Sequence, residues 1–508
     1  MNTSIKYLLL CLLTCGCACS QKTGGKSGGG EVIDPIEPPV VAADAYAYVT
    51  KADKTKLFAE ERLSFGKTAT MSPYVVRFTD EEFQTVDGFG AAVTVSSCYL
   101  LQKMNKESRT AFLKKVFSPT EGAGSSLVRI CIGGSDFTWD YGESGLSSDG
   151  RFTWCDKEGI DNFAPHPMDV KYVVPVLKEI LEINPALMVI GSPWTAPRWM
   201  KQDAKRITSH YSWTGGRLNP KHYQDYADYF VKWIQYMQSQ GIDIYAVTPQ
   251  NEPLNAGNSM SMLMPWQDCR DFVKTALGPS MKKAGLKTKI LIFDHNYNYD
   301  NKSDQNEYPL KVYADPEASK YIAGSAWHNY GGHVSELDKI QAGALEKEIY
   351  FTEASIGTWN YSFASCLIND FRDIMLGTLA RGGKGVTFWN IMLDDKKGPY
   401  TNANGSCMTC FGAATIMSSD YKTVDYYSQF YDFAHCSKVI RPGAIRIGTK
   451  GFTKQGITYQ AYRNTDGSFG VVILNENPEE QQFVFLTALH SVRYTVPAKS
   501  VVSLKWKD

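Results

Sequence analysis

Between residues 86 and 389, short unbroken apolar runs alternate with longer segments whose apolar positions recur every three to four residues. The first pattern fits a strand buried on both faces, and the second fits a helix that covers such a strand with one stripe. Eight runs qualify as strands: residues 86–92, 126–131, 187–191, 244–248, 290–293, 323–327, 349–352 and 385–389. Between them, Val170, Val173, Val174, Leu177 and Leu181 form one helical stripe. Tyr223, Ala227, Phe230, Val231 and Ile234 form another, with Gly241 where a C-terminal stop belongs. Eight strand–helix repeats predict a parallel sheet closed into a TIM (β/α)8 barrel, over residues 85–436.

After residue 437 the period changes to two. "GITYQAYRN", "SFGVVILNEN", "FVFLTAL" and "RYTVPAKSVVSLKW" read as short antiparallel strands, with a turn at Asp466-Gly467. Residues 437–508 therefore predict a β-sandwich. Upstream, "TKLFAEERLSF" and "PYVVRFTDE", within residues 46–84, read as strands of the same sandwich. A side domain built from both termini is anchored to the barrel at two points.

The first 19 residues follow another logic. Lys6 precedes the apolar run "YLLLCLLTC", which is shorter than the roughly 20 residues needed to cross a bilayer and reads as a secretory signal. Cys17 after Gly16, or Cys19 after Ala18, has the setting of a bacterial lipoprotein cleavage site, and ordinary signal cleavage nearby is the alternative. Residues 20–45 are Gly/Ser-rich and then Pro-rich, a tether that stiffens into a spacer. The expectation is an exported lipoprotein, held at the outer membrane only through its lipid.

With 53 basic and 53 acidic residues, the chain has no charge excess to attract nucleic acid. Aromatics make up 13%, enough to pave a sugar-binding cleft as well as a core. Of eight cysteines beyond the N-terminal cluster, Cys407 and Cys410 have CxxC spacing, but no second pair or nearby histidines complete a zinc set. A local disulfide or free thiols outrank metal or redox chemistry there.

Barrel enzymes place their chemistry just past the carboxyl ends of the strands. Glu252 in "TPQNEP" and Glu353 in "YFTEAS" occupy that position after the fourth and seventh runs. Paired carboxylates in one site are the equipment for hydrolysing a glycosidic bond. Other strand ends supply Arg129 and Asp136, Trp194, Asn251, His328 and Tyr330, and Trp389 and Asn390. Singly, each has a structural explanation; together they furnish a sugar-sized pocket with acid–base groups.

In order, "DGFGAA", "VRICIGGSDF", "GSPWTAPRWM", "TPQNEP", "AWHNYGG", "YFTEAS" and "FWNIML" resemble glycoside hydrolase family 30, the family of glucosylceramidase, bacterial xylanases and endo-β-1,6-glucanases. The resemblance implies that Glu252 is the general acid/base and Glu353 the nucleophile of a retaining double displacement, with the carboxyls ~5–5.5 Å apart. It further implies that Arg129 and Tyr330 hold the nucleophile and that Asn251 donates to the sugar 2-hydroxyl. Asp136, Trp194 and Trp389 would grip the glycone, with His328 either contacting the substrate or standing behind the residues that do, and Asn390 in support. No metal or organic cofactor is implied. On this reading the pKa of Glu252 is raised while Glu353 is ionised.

The wording is nearest the β-1,6-glucanase branch, so the expected substrate is β-1,6-glucan. Glucosylceramide, another β-glucoside and xylan are the alternatives within the family. The Met-rich "LNAGNSMSMLMPW" after Glu252 departs from the glucosylceramidase pattern and leaves the aglycone open. A non-catalytic glycan-binding lipoprotein has no need of both glutamates, and a phosphate-handling barrel would carry a Gly-rich cradle that is missing here. Oligomeric state is not legible.

Overall fold

The computed structural model describes residues 43–68, 71–138, 150–206 and 208–508. The expected signal, lipidated cysteine and nearly all of the tether lie outside the described residues.

Eight parallel strands form the barrel: β1 (Gly88–Ala91), β2 (Leu127–Cys131), β3 (Met188–Ser192), β4 (Ile244–Val247), β5 (Lys289–Asn296), β6 (Gly324–His328), β7 (Glu348–Glu353) and β8 (Gly383–Phe388). Each pairs with the next in chain order from β2 to β8, and β8 pairs with β1. A parallel bridge between Ala92 and Arg129 brings β1 back to β2 and completes the ring.

The period of two along each strand stacks the interior in layers. Leu127, Ile190, Ala246, Leu291, Ala326 and Tyr350 pack together as an apolar plug. Two residues further along their strands come Arg129, Ser192, Thr248, His328 and Thr352, all wholly buried. Successive side chains of a strand alternate faces, so this second, polar layer sits directly on the plug. At β5 the step is three, because the ladder shifts between Phe293 and His295. That bulge, with Phe293 and Asp294 at positive φ (79° and 55°), turns Asp294 into the polar layer.

The side domain holds nine strands in one hydrogen-bonded order, around a second core that includes Val49, Val76, Phe485, Val502 and Trp506. Ala45–Lys51 pairs antiparallel with Ser500–Trp506, so both ends of the described chain share this sheet. Helix Ser428–Val439 fastens it to the barrel: buried His435 bonds Ser503 and Thr50, each at 2.8 Å.

Two local expectations are corrected. Val86 ends the long side-domain strand Val75–Val86 and does not begin the first barrel strand. Val170 is 41% exposed, because residues Asp169–Val173 form a wider π-helical turn that moves it off the stripe. Val173, Val174 and Leu177 remain buried.

Candidate active site

Arg129, in the middle of β2, organises the site from below. It is fully buried and donates to Glu353 Oε2 (2.6 Å), Asn251 Oδ1 (2.6 Å), Asp294 Oδ2 (2.7 Å) and Ser192 Oγ (3.2 Å). Its guanidinium also lies over the indoles of Trp194 and Trp389, 5.0 and 5.6 Å from their ring centres. Those two rings stack on each other at 4.9 Å. A cation so enclosed is tolerable only because carboxylates face it.

Glu252 follows β4 between Pro249 and Pro253, with its backbone at positive φ (45°). Its own amide is held by the carbonyl of Asp294 at 3.0 Å. Its Oε2 accepts from Asn255 (2.9 Å) and Asn258 (2.5 Å). Its Oε1 faces His328 Nδ1 at 3.4 Å and His295 Nδ1 at 3.9 Å. Glu353 closes β7, and its Oε1 accepts from the Tyr330 hydroxyl at 3.1 Å. The same His328 Nδ1 stands 4.0 Å from Glu353 Oε1, so one imidazole nitrogen lies between the two carboxylates.

Nine of the ten site residues named from the sequence come together at the cavity or in the polar network beneath it. Asp136, Trp194, Glu252, Tyr330, Glu353 and Trp389 line a cavity of about 430 Å³, while Arg129 and Asn251 hold its floor. His328 is wholly buried and forms no wall of this cavity; it bonds Asp294 through Nε2 at 3.0 Å. Asn390 is also wholly buried, and its side-chain amide has no hydrogen-bond partner among the described residues.

Sequence reasoning missed Asp294 and His295 at the end of β5. Asp294 accepts from Arg129, Ser192 (2.7 Å), Thr248 (2.8 Å), Thr352 (2.6 Å) and His328. The signal was present, since an acid follows "KILIF" as Glu353 follows "EIYFT". Also missed, Asn255, Asn258 and Trp359 from loops and Asn296 from the end of β5 reach the cavity. So does the Cys407–Cys410 pair, which forms the local disulfide that outranked metal binding.

The electrostatics reverse one expectation. Burial pushes Glu252 up, but the hydrogen bond from His328 and the charges of His295 and His328 outweigh it and bring its pKa down to about 2. Burial drives Glu353 upward, against the opposing pull of His328 and Arg129. For His328, burial opposes the charge, yet Glu353 and Asp294 raise it to about 9. Three acids surround this imidazole and raise it, while its hydrogen bond and charge lower Glu252, the opposite direction to the one expected from the sequence. Asp136 is pushed up to about 8 by burial and by Glu353.

Glu252, His295 and His328 bring one potential metal-ligand atom each within 4.8 Å of one another. His328 bonds Asp294 through Nε2 and faces Glu252 through Nδ1, so each of its ring nitrogens already has a carboxylate partner. The cluster is accounted for as the hydrogen-bonded surroundings of Glu252.

A barrel that presents two carboxylates from β4 and β7 over a buried arginine, beside stacked indoles, defines a glycoside hydrolase. The chain belongs to glycosyl hydrolase family 30: residues 86–440 match that family's TIM-barrel domain and residues 443–504 its β-sandwich domain. Among its relatives, an endo-1,6-β-D-glucanase of Neurospora crassa is 28% identical, covering 89% of this chain and 93% of the relative. The putative glucosylceramidase 4 of Caenorhabditis elegans is 27% identical, covering 87% and 85%. The solved structure of an endo-β-1,6-glucanase superposes with a TM-score of 0.87 at 48% identity, covering 92% of this chain and all of that one.

Proposed function

We propose that this protein is a retaining hydrolase of β-1,6-glucan. The observation that carries the chemistry is Glu353, fixed by Arg129 and Tyr330 and sharing His328 with Glu252. Glu353 attacks the anomeric carbon while Glu252 protonates the departing oxygen; Glu252 then takes a proton from the incoming water. Glu252 and His328 hold one proton between them across 3.4 Å, so Glu252 draws its acid proton from the imidazole and returns it. Asn251 spends its oxygen on Arg129, leaving its NH2 for a sugar hydroxyl. Asp136, Trp194 and Trp389 grip the glycone, and Asn390 supports them.

The linkage rests on the 48% identity to an endo-β-1,6-glucanase over nearly the whole chain. Proton NMR of linear β-1,6-glucan digestion tests both parts. The expected result is gluco-oligosaccharides with the β-anomer formed first. Inert β-1,6-glucan with cleavage of xylan or glucosylceramide overturns the linkage, and α-anomers formed first overturn retention. A 2-fluoro glycosyl inhibitor is expected to label Glu353, and labelling elsewhere overturns the nucleophile assignment.

The N-terminal pattern supports export and lipid attachment at Cys17 or Cys19. Mass spectrometry of membrane fractions tests this, and an unmodified N-terminus beyond Cys19 overturns it.

A further inference from the structure

A second cavity of about 520 Å³ adjoins the first and shares Asn255, Asn296 and Tyr330 with it. Its walls come from the loops after β4, β5 and β6, and include Asn298, Asn301 and Lys302. The stacked pair Trp194 and Trp389, by contrast, stands after β3 and β8. Glu252 follows β4, and Asn255, which holds its Oε2, belongs to both cavities. Glu252 itself lines only the first cavity, and Asn255 links it to the second.

We propose that the second cavity is the leaving-group subsite and that its four asparagine amides select a hydroxylated sugar over an alkyl chain. The inference rests on the retaining hydrolysis proposed above. An amide both donates and accepts, which matches a hydroxyl that does the same. Within the protein Asn255 bonds Glu252 and Gly257, Asn296 bonds Asp300 and Tyr330, and Asn298 bonds Asp300 and Asn301; each amide keeps a further hydrogen or lone pair that a sugar hydroxyl can meet and an alkyl chain cannot. The apolar side chains of the wall are Leu254, Ala256, Leu263 and the Tyr330 ring, and the charged Asp300 and Lys302 stand beside the asparagines.

Two measurements test this on the intact protein. In the first, an aryl β-glucoside loads the site and gentiobiose or n-octanol is offered as acceptor. The acceptor hydroxyl oxygen bonds to the anomeric carbon, the ester bond to Glu353 breaks, and the hydroxyl proton passes to Glu252. Transfer to gentiobiose and not to octanol is expected; equal transfer to both, or transfer to octanol alone, overturns the proposal.

In the second, Asn298→Ala/Asn301→Ala is compared with the parent. A fall of about tenfold in kcat/KM on gentio-oligosaccharides, with an aryl glucoside unchanged, is expected from two lost hydrogen bonds. No fall, or an equal fall on both substrates, overturns the proposal. Failure of the linkage assignment looks different: β-1,6-glucan stays intact while sugar acceptors still intercept the glycosyl-enzyme.

Discussion

Asp294→Asn is the sharpest perturbation of this site, because it removes a charge and a hydrogen-bond acceptor with almost no change of shape. All five partners of Asp294 are donors: Arg129, Ser192 and Thr248 on Oδ2, and Thr352 and His328 on Oδ1. An amide offers one oxygen, so its NH2 must face one of these donor groups. The hydroxyls can rotate away. Arg129 and His328 cannot, and whichever meets the NH2 loses its charged partner on Asp294 inside the barrel. Breaking a buried ion pair by removing one partner costs about 3–5 kcal/mol. For a domain this large that is a fall in Tm on the order of 5–10 °C. The same arginine fixes Glu353 through its other nitrogen at 2.6 Å, so kcat on an aryl glucoside should drop about 100-fold as the nucleophile loses its position. Thr352→Val is the control: it deletes one rotatable donor and should cost about 1 kcal/mol with turnover within about twofold. Calorimetry and steady-state kinetics on both variants check the argument. An Asp294→Asn enzyme with the parent's Tm and turnover would refute the claim that this carboxylate anchors the network.

Three further outcomes follow from the same geometry. Glu252→Ala should retain release of a good aryl leaving group, lose activity on glucan by ~10²–10⁴-fold and recover with azide; equal loss on both substrates without rescue contradicts the acid/base role. His328 is raised in the folded state to about 9, so the stability it contributes is complete below its ordinary value near 6.5 and is lost as pH rises through 9. Tm should therefore decline across that window in the parent and decline less in His328→Gln, and parallel pH profiles would count against the assignment. The Cys407–Cys410 loop sends a backbone N–H to Asp136 at 3.4 Å, so Cys407→Ser/Cys410→Ser should raise KM more than it lowers kcat, and an unchanged KM would remove the disulfide from glycone binding.

The period of the apolar residues determined the barrel. Unbroken runs such as "EIYF" can be satisfied only where both faces are covered, and eight of them with helical spacers leave few other closures. The positions of Glu252, Glu353, Arg129 and Asp136 were legible for the same reason, since a strand's end is visible in one dimension. Tertiary structure decided what depends on distance between strands. Asp294 joins the polar layer through a one-residue bulge that no periodicity announces, and it then recruits donors from four other strands. The direction of the pKa shifts was likewise set in space: His328 lies among three acids, Glu252 past β4, Asp294 on β5 and Glu353 on β7, which raise it while it lowers Glu252. The asparagine-walled cavity comes from three loops that no shared period relates. Backbone periodicity is local and survives in sequence, whereas electrostatic coupling falls off with distance through space, and only the closed barrel brings these groups within its reach.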